Sequence, residues 1–238
     1  TTGAIVQRQP FGGWKNSNVG PGVKAGGPNY VACFGKWTQG SLPEFQAEPL
    51  GALGALLPVL RNWVEPESDR EALEASAKSY QYWWTAEFSQ EHDPSHVHGE
   101  ANHFRYCPRP LHVVRLGTLP VQSMKLALAQ IALAAVRTGT KLQVSVDQAS
   151  LELDSWSQWT GCEVVVEGLD AMQRRLGGLM GITVRVLGDI GVATLDPLAI
   201  NKAFVAYGPP LSNGRLELQL YVREQAISET VHRYGNLV

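Results

Sequence analysis

Cysteine is scarce. The chain has three cysteines, Cys33, Cys107 and Cys162, too few and too scattered for a disulfide framework, which points to a reducing, cytoplasmic location. None has a nucleophile's surroundings: Cys33 follows Val31-Ala32, Cys107 lies between Tyr106 and Pro108, and Cys162 follows Gly161. No apolar run reaches the roughly eighteen residues that suggest a membrane span. The first residues show neither the charged nor the apolar part of a secretory signal. A formal net charge of −2 gives no electrostatic reason to expect nucleic acid or an anionic membrane as partner. What the chain does have is 44% hydrophobic content, enough for a sizeable core in one or two domains, and an opening stretch crowded with glycine.

That stretch runs Thr2-Gly3-Ala4-Ile5-Val6, then Gln9-Pro10-Phe11-Gly12-Gly13, then Gly20-Pro21-Gly22-Val23-Lys24-Ala25-Gly26-Gly27-Pro28. Glycines so close together mark backbone that turns tightly or approaches a ligand. The string resembles the C-terminal end of aldehyde dehydrogenases, above all those that oxidise glutamate γ-semialdehyde (pyrroline-5-carboxylate dehydrogenases). These include the dehydrogenase half of the bifunctional proline-utilisation (PutA) flavoenzymes.

The resemblance implies three substrate-binding residues. The backbone amides of Gly3 and Ala4 would hold the substrate's α-carboxylate in an anchor loop, and Phe11 would line the site against its aliphatic chain. Hydrogen bonds to a carboxylate are of the stronger, charge-assisted kind. Gly20, Gly22, Gly26 and Gly27 read as shaping connections only. The family also needs a thiolate nucleophile, set in Gly-Gln-x-Cys, and a carboxylate base; the nucleophile motif is absent here. No catalytic, cofactor-binding or metal-binding residue is therefore assigned. The chain reads as the C-terminal portion of a longer NAD-dependent oxidoreductase and is expected to be inactive alone. NAD would be bound mainly upstream, and FAD would belong to a proline dehydrogenase domain if the parent is bifunctional. The expected partners are the upstream dehydrogenase domains and a small-molecule substrate, with a homo-oligomer through the terminal flap left open.

Three segments follow. Residues 1–37 would close the aldehyde dehydrogenase domain, with Tyr30 to Trp37 as its last strand. Residues 38–101 read as a helical linker. Leu50 to Trp63 looks like an apolar helix interrupted at Pro58, and Ser68 with Glu71 makes a capping box for a second helix. Leu73, Ala77, Tyr80, Trp84 and Phe88 fall on one face of that helix as a packing stripe. Glu91 to His103 holds four histidines and three carboxylates, residue types that ligate zinc. The spacing fits no helical His-Glu-x-x-His, however, and Pro94 and Gly99 mark a solvated loop. Tyr80-Gln81-Tyr82-Trp83-Trp84 ahead of Glu91-His92-Asp93-Pro94 resembles a polar linker of the proline-utilisation family.

Residues 102–238 have α/β grammar: strands at Phe104–Tyr106 and Leu111–Leu116, a buried helix from Pro120 (N1) to Gly139 (C′), then a strand at Leu142–Val146. Cys162–Val166, Leu169–Leu176, Ile182–Leu187 and Ala203–Tyr207 repeat it, which predicts a Rossmann-like open sheet. The first strand–helix turn, Gly117-Thr118-Leu119-Pro120, is not the Gly-x-Gly-x-x-Gly of dinucleotide sites. Ser212-Asn213-Gly214 would begin a hairpin of Arg215–Val222 with Ala226–Val231. Arg223 through Asn236 resembles the terminal flap of longer proline-utilisation enzymes. Their extra C-terminal domain is built like an aldehyde dehydrogenase nucleotide-binding domain, lacks catalytic residues and covers the cavity through which the intermediate passes. The rival reading is a stand-alone nucleotide-binding or protein-interaction module.

Overall fold

A computed structural model describes residues 9–13, 17, 20–93, 95–191 and 203–231. The helices α1 (Gly51–Trp63) and α2 (Glu67–Trp83) come first, the latter continuing into a π-helical turn at Trp84–Phe88. Strand β1 (Glu100–Pro108) leads to β2 (His112–Leu116), α3 (Val121–Thr138), β3 (Leu142–Val146), α4 (Leu151–Thr160) and β4 (Glu163–Val166). Then come α5 (Leu169–Leu176), β5 (Thr183–Leu187), β6 (Phe204–Tyr207), the short α6 (Gly214–Glu217) and β7 (Val222–Thr230).

Five described strands form a parallel sheet in the order β4-β3-β2-β5-β6. Every residue of β2, β3 and β5 is buried, as expected of parallel strands covered on both faces. The pleat divides the core. Val114, Leu116, Val144 and Val146 pack with α1, α2 and α3, while Val113, Val184 and Val186 pack with Met172 and Leu176 of α5. This is the Rossmann-like α/β arrangement the alternation predicts.

Helix α3 ends at Gly139, whose φ of 72° is left-handed, a conformation glycine adopts without steric cost. Pro120 sits one position earlier than expected, as the N-cap. The start of α2, by contrast, is earlier than expected: Pro66 is the N-cap and Ser68 lies inside the helix, so the capping box does not form. Pro58 does not interrupt α1, which carries Leu53, Leu56, Leu60 and Trp63 into the core at helical spacing. Burying those side chains, at about 1.5–3 kcal/mol each, exceeds the roughly 3 kcal/mol a helical proline costs. In the stripe, Leu73, Ala77, Tyr80 and Phe88 are buried in the same core. Helix α4 was not anticipated; its signals are Ser150, whose hydroxyl accepts from the Leu153 N–H, and the buried pair Leu153 and Trp156.

Two expected strands are corrected. Tyr30 to Trp37 contains a 3₁₀ turn, Ala32–Phe34, because a strand needs a neighbour to pair with and none lies alongside among the described residues. Val31, Phe34 and Trp37 stay exposed. Residues 215–220 are helical, as α6 and a 3₁₀ turn, Leu218–Leu220. Strand β7 therefore pairs not with its sequence neighbour but with β1, antiparallel from Glu100↔Thr230 to Pro108↔Val222. The flap is a two-stranded ribbon, but it is no local hairpin.

Candidate functional site

Lys24 and Asn29 are fastened to the β1–β7 ribbon by a buried polar network. Phe11 and Ala25 exchange backbone hydrogen bonds (3.0 and 2.7 Å), which sets these two residues side by side. Gly26 turns at a φ of 77°, and a Cβ on Gly27 would stand 2.9 Å from the Lys24 carbonyl oxygen. The Lys24 backbone N–H donates to Glu224 Oε2, and Lys24 Nζ donates to the carbonyls of Gly12 (2.9 Å) and Gly13 (2.8 Å). Asn29 Nδ2 donates to Glu224 Oε1 (2.7 Å) and to the Tyr106 hydroxyl (3.1 Å), which itself donates to Glu87 Oε1 (2.6 Å). Arg215 from α6 donates to Asn29 Oδ1.

Electrostatics follow from burial. Desolvation pushes the Glu224 carboxyl above its ordinary range, against the pull of the Lys24 and Asn29 donors. It pushes Lys24 down, with Glu224 opposing and Arg223 adding to the fall, and it pushes the Tyr106 phenol up, helped by Glu87. Beside this network lies a cavity of about 570 Å³, whose walls include Phe11, Lys24, Arg109, Met180, Arg223 and Glu224. Arg109 is buried and donates to the carbonyls of Pro21 and Gly181. Desolvation, and then the charge of Arg223, lowers its pKa to about 10.

A second cavity, of about 590 Å³, opens at the carboxyl ends of β2, β3 and β5. Here the strand order reverses direction, the place where doubly wound sheets take their ligands. At one edge of this cavity the loops after β2 and β5 are stitched together by backbone. Thr118 N–H donates to the Asp189 carbonyl (2.8 Å) and Asp189 N–H returns the bond (3.0 Å). A Cβ on Gly117 would fall 2.2 Å from the Asp189 carbonyl oxygen. Buried Arg115 reaches Asp147 (2.6 Å), Ser145 (3.1 Å) and the Glu167 carbonyl (2.8 Å).

No family model matches the chain, and no curated protein matches it. Among solved structures, proline utilisation A (PutA) from Corynebacterium freiburgense is similar over 99% of this chain at 34% identity, with a TM-score of 0.66. The chain is a relative of PutA. It spans 20% of that PutA's length. A 3,6-anhydro-L-galactose dehydrogenase is also similar (17% identity, 66% of this chain, 37% of that one, TM-score 0.46). So is an NAD-dependent benzaldehyde dehydrogenase from Corynebacterium glutamicum (13%, 66%, 39%, 0.41).

Of the residues the PutA resemblance singles out, Gly3 and Ala4 lie outside the described residues, as do Pro94 and the His232 to Asn236 end of the flap. Phe11 is 65% exposed on the wall of the first cavity. Among the described residues no group of three His, Cys, Asp or Glu could hold a metal ion. The polar segment is instead locally bonded: Asp93 accepts from Ser95 and His96, His103 meets Glu91 (2.6 Å), and His92 meets the Glu87 carbonyl (3.0 Å). The three cysteines are free, and burial pushes the Cys162 thiol up, away from a nucleophile's range. The network residues Lys24, Asn29, Arg109 and Glu224 were missed in the sequence. One signal existed: Glu224 occupies the apolar phase of β7, between Val222 and Ala226.

Proposed function

We propose that this chain is the C-terminal part of an NAD-dependent L-glutamate γ-semialdehyde dehydrogenase of proline catabolism, which converts proline to glutamate. Residues 1–37 complete the aldehyde site, 38–101 are a helical linker, and 102–238 form a non-catalytic lid over the cavity that passes the intermediate between active sites. Gly3 and Ala4 offer amides to the α-carboxylate and Phe11 covers the aliphatic chain. Nucleophile, base and NAD belong to the upstream part of the polypeptide, and the chain alone makes no NADH.

The observation that carries this reading is the likeness to PutA over 99% of the chain. Two features support it. Glu224, on the terminal strand, binds Lys24 and Asn29 of the loop that follows Phe11, so lid and aldehyde loop are held as one piece. Exposed Val31, Phe34 and Trp37, which follow the loop in sequence, offer apolar surface suited to docking on the rest of a dehydrogenase. The rival nucleotide-binding reading is disfavoured by the Thr118–Asp189 stitch at the edge of the cavity it would use. The test is the lag in coupled proline-to-glutamate conversion by the full-length polypeptide. Ile227→Asp, at an exposed position of β7, lengthens the lag if β7 seals the cavity; an unchanged lag removes the lid.

A further inference from the structure

Phe11 is 65% exposed on its cavity wall, so within this chain side-chain packing does little to fix where the ring stands. Backbone has to do it. Phe11 and Ala25 exchange two hydrogen bonds, but the next two residues are glycines, which have the freest backbone and no side chain to anchor. Both are held from the side by one lysine: Lys24 Nζ donates to the carbonyls of Gly12 (2.9 Å) and Gly13 (2.8 Å). An ammonium has three donors and no acceptor, which suits it to span successive carbonyls, and bonds from a charged donor are the stronger kind.

The lysine is itself fixed at both ends. Its backbone N–H donates to Glu224 Oε2 of β7, 200 residues further along the chain. Its stem lies over Gly12, where an added Cβ would stand 3.2 Å from Lys24 Cδ and press on it. Lys24 is only 6% exposed. Burying a charge costs free energy unless its bonds repay it, and desolvation duly lowers the Lys24 pKa, with Glu224 opposing.

We infer that Lys24 is a positioning residue for the aldehyde: its ammonium locks the Phe11-Gly12-Gly13 backbone so that the Phe11 ring stands against the substrate's carbon chain, and Glu224 presents the lysine for that role. The inference rests on the reading of Phe11 as aldehyde cover proposed above. Lys24 also lines the cavity, so a direct contact with the substrate's carboxylate is the alternative that the test has to separate.

Lys24→Met in the full-length polypeptide keeps the stem and the backbone N–H and removes the ammonium. The KM for L-glutamate γ-semialdehyde should rise about tenfold while kcat and the KM for NAD hold, the pattern of lost uniform binding. Because Lys24 acts through Phe11, adding Lys24→Met to Phe11→Ala should raise that KM no further, as residues that work as one unit are not additive. A double variant whose KM multiplies both effects would mean direct contact with substrate and overturn the inference. Hydrogen exchange gives a reading independent of turnover. The Ala25 amide, bonded to the Phe11 carbonyl, should exchange at least about tenfold faster in Lys24→Met, with the amide of residue 24 unchanged. Equal exchange at Ala25 in variant and wild type, or faster exchange at both amides, overturns the lock. If Lys24→Met fails to fold, Lys24→Gln, whose amide stops one bond short of the lysine nitrogen, decides by the same readings. An aldehyde KM that responds to Phe11→Ala but not to Lys24→Met overturns the inference and leaves the aldehyde reading standing; a KM indifferent to both overturns the two together.

Discussion

Arg185 of β5 and Glu217 of α6 form an ion pair 2.7 Å long, with side chains only 2% and 1% exposed. Glu217 also accepts from the Tyr221 hydroxyl (3.0 Å) and the Leu211 N–H (2.9 Å). The Tyr221 ring stacks on buried His112, centroids 4.3 Å apart and planes 8° from parallel. Burial, then the charges of Arg185 and Arg109, holds His112 neutral, well below its usual range. The pair therefore pins α6 under the sheet and fixes where β7 begins. Glu217→Ala leaves Arg185 charged and unpaired, so unfolding by denaturant should show a loss of about 3–5 kcal/mol. Arg185→Met with Glu217→Leu should recover most of it, since an apolar pair of similar volume often replaces a buried ion pair without loss.

Glu224 predicts a local effect rather than a global one. Glutamine in its place turns one acceptor into a donor that faces either the Lys24 N–H or Asn29 Nδ2. Hydrogen exchange at the Lys24 amide should accelerate by at least about tenfold, the equivalent of roughly 1.4 kcal/mol. The folded pKa of Glu224 is raised, so folding favours the protonated carboxyl. Its contribution to stability is present below the unfolded pKa and is lost as pH rises through the folded one. Glu224→Gln should remove that part of the pH dependence of the melting temperature.

Asp93 works in the opposite direction. Its carboxyl is held at about 2, first by the Ser95 hydroxyl and then by the His96 N–H, against an ordinary 3.8. The bonds of Asp93 to Ser95 and His96 therefore stabilise the fold above the unfolded pKa, and this stabilisation is lost as pH falls from about 4 towards 2. An NMR titration of the Asp93 carboxyl should give a midpoint near 2, and Ser95→Ala should move it back towards 3.8.

Gly139 tests the end of α3. Its nearest neighbour for an added Cβ is Pro108 Cγ at 4.0 Å, so Gly139→Ala meets no clash and pays only for the left-handed φ of 72°. Thermal unfolding should report a loss of about 1–2 kcal/mol.

The parallel sheet was legible because short segments rich in Val and Leu, at β2, β3 and β5, alternate with helical ones and follow Pro or Gly at 110, 139 and 181. Residues 215–220 were not. Leu216, Leu218 and Leu220 alternate with Glu217 and Gln219 as in a half-exposed strand. Alternation puts Glu217 on the solvent side, whereas the fold needs it buried against Arg185, a partner no local pattern reveals. The loop site was legible only as a resemblance at Phe11. The charges that hold that loop, Arg109 and Glu224, lie far along the chain.

The central claim, that this chain completes an aldehyde site, is tested most directly by NADH formation from L-glutamate γ-semialdehyde in the full-length polypeptide carrying Phe11→Ala. Loss of the aromatic cover should raise the KM for the aldehyde about tenfold, the lower end of what an apolar contact contributes to substrate discrimination, with the KM for NAD unchanged. A full-length polypeptide that makes no NADH from the semialdehyde, or an aldehyde KM indifferent to Phe11→Ala, would contradict the account.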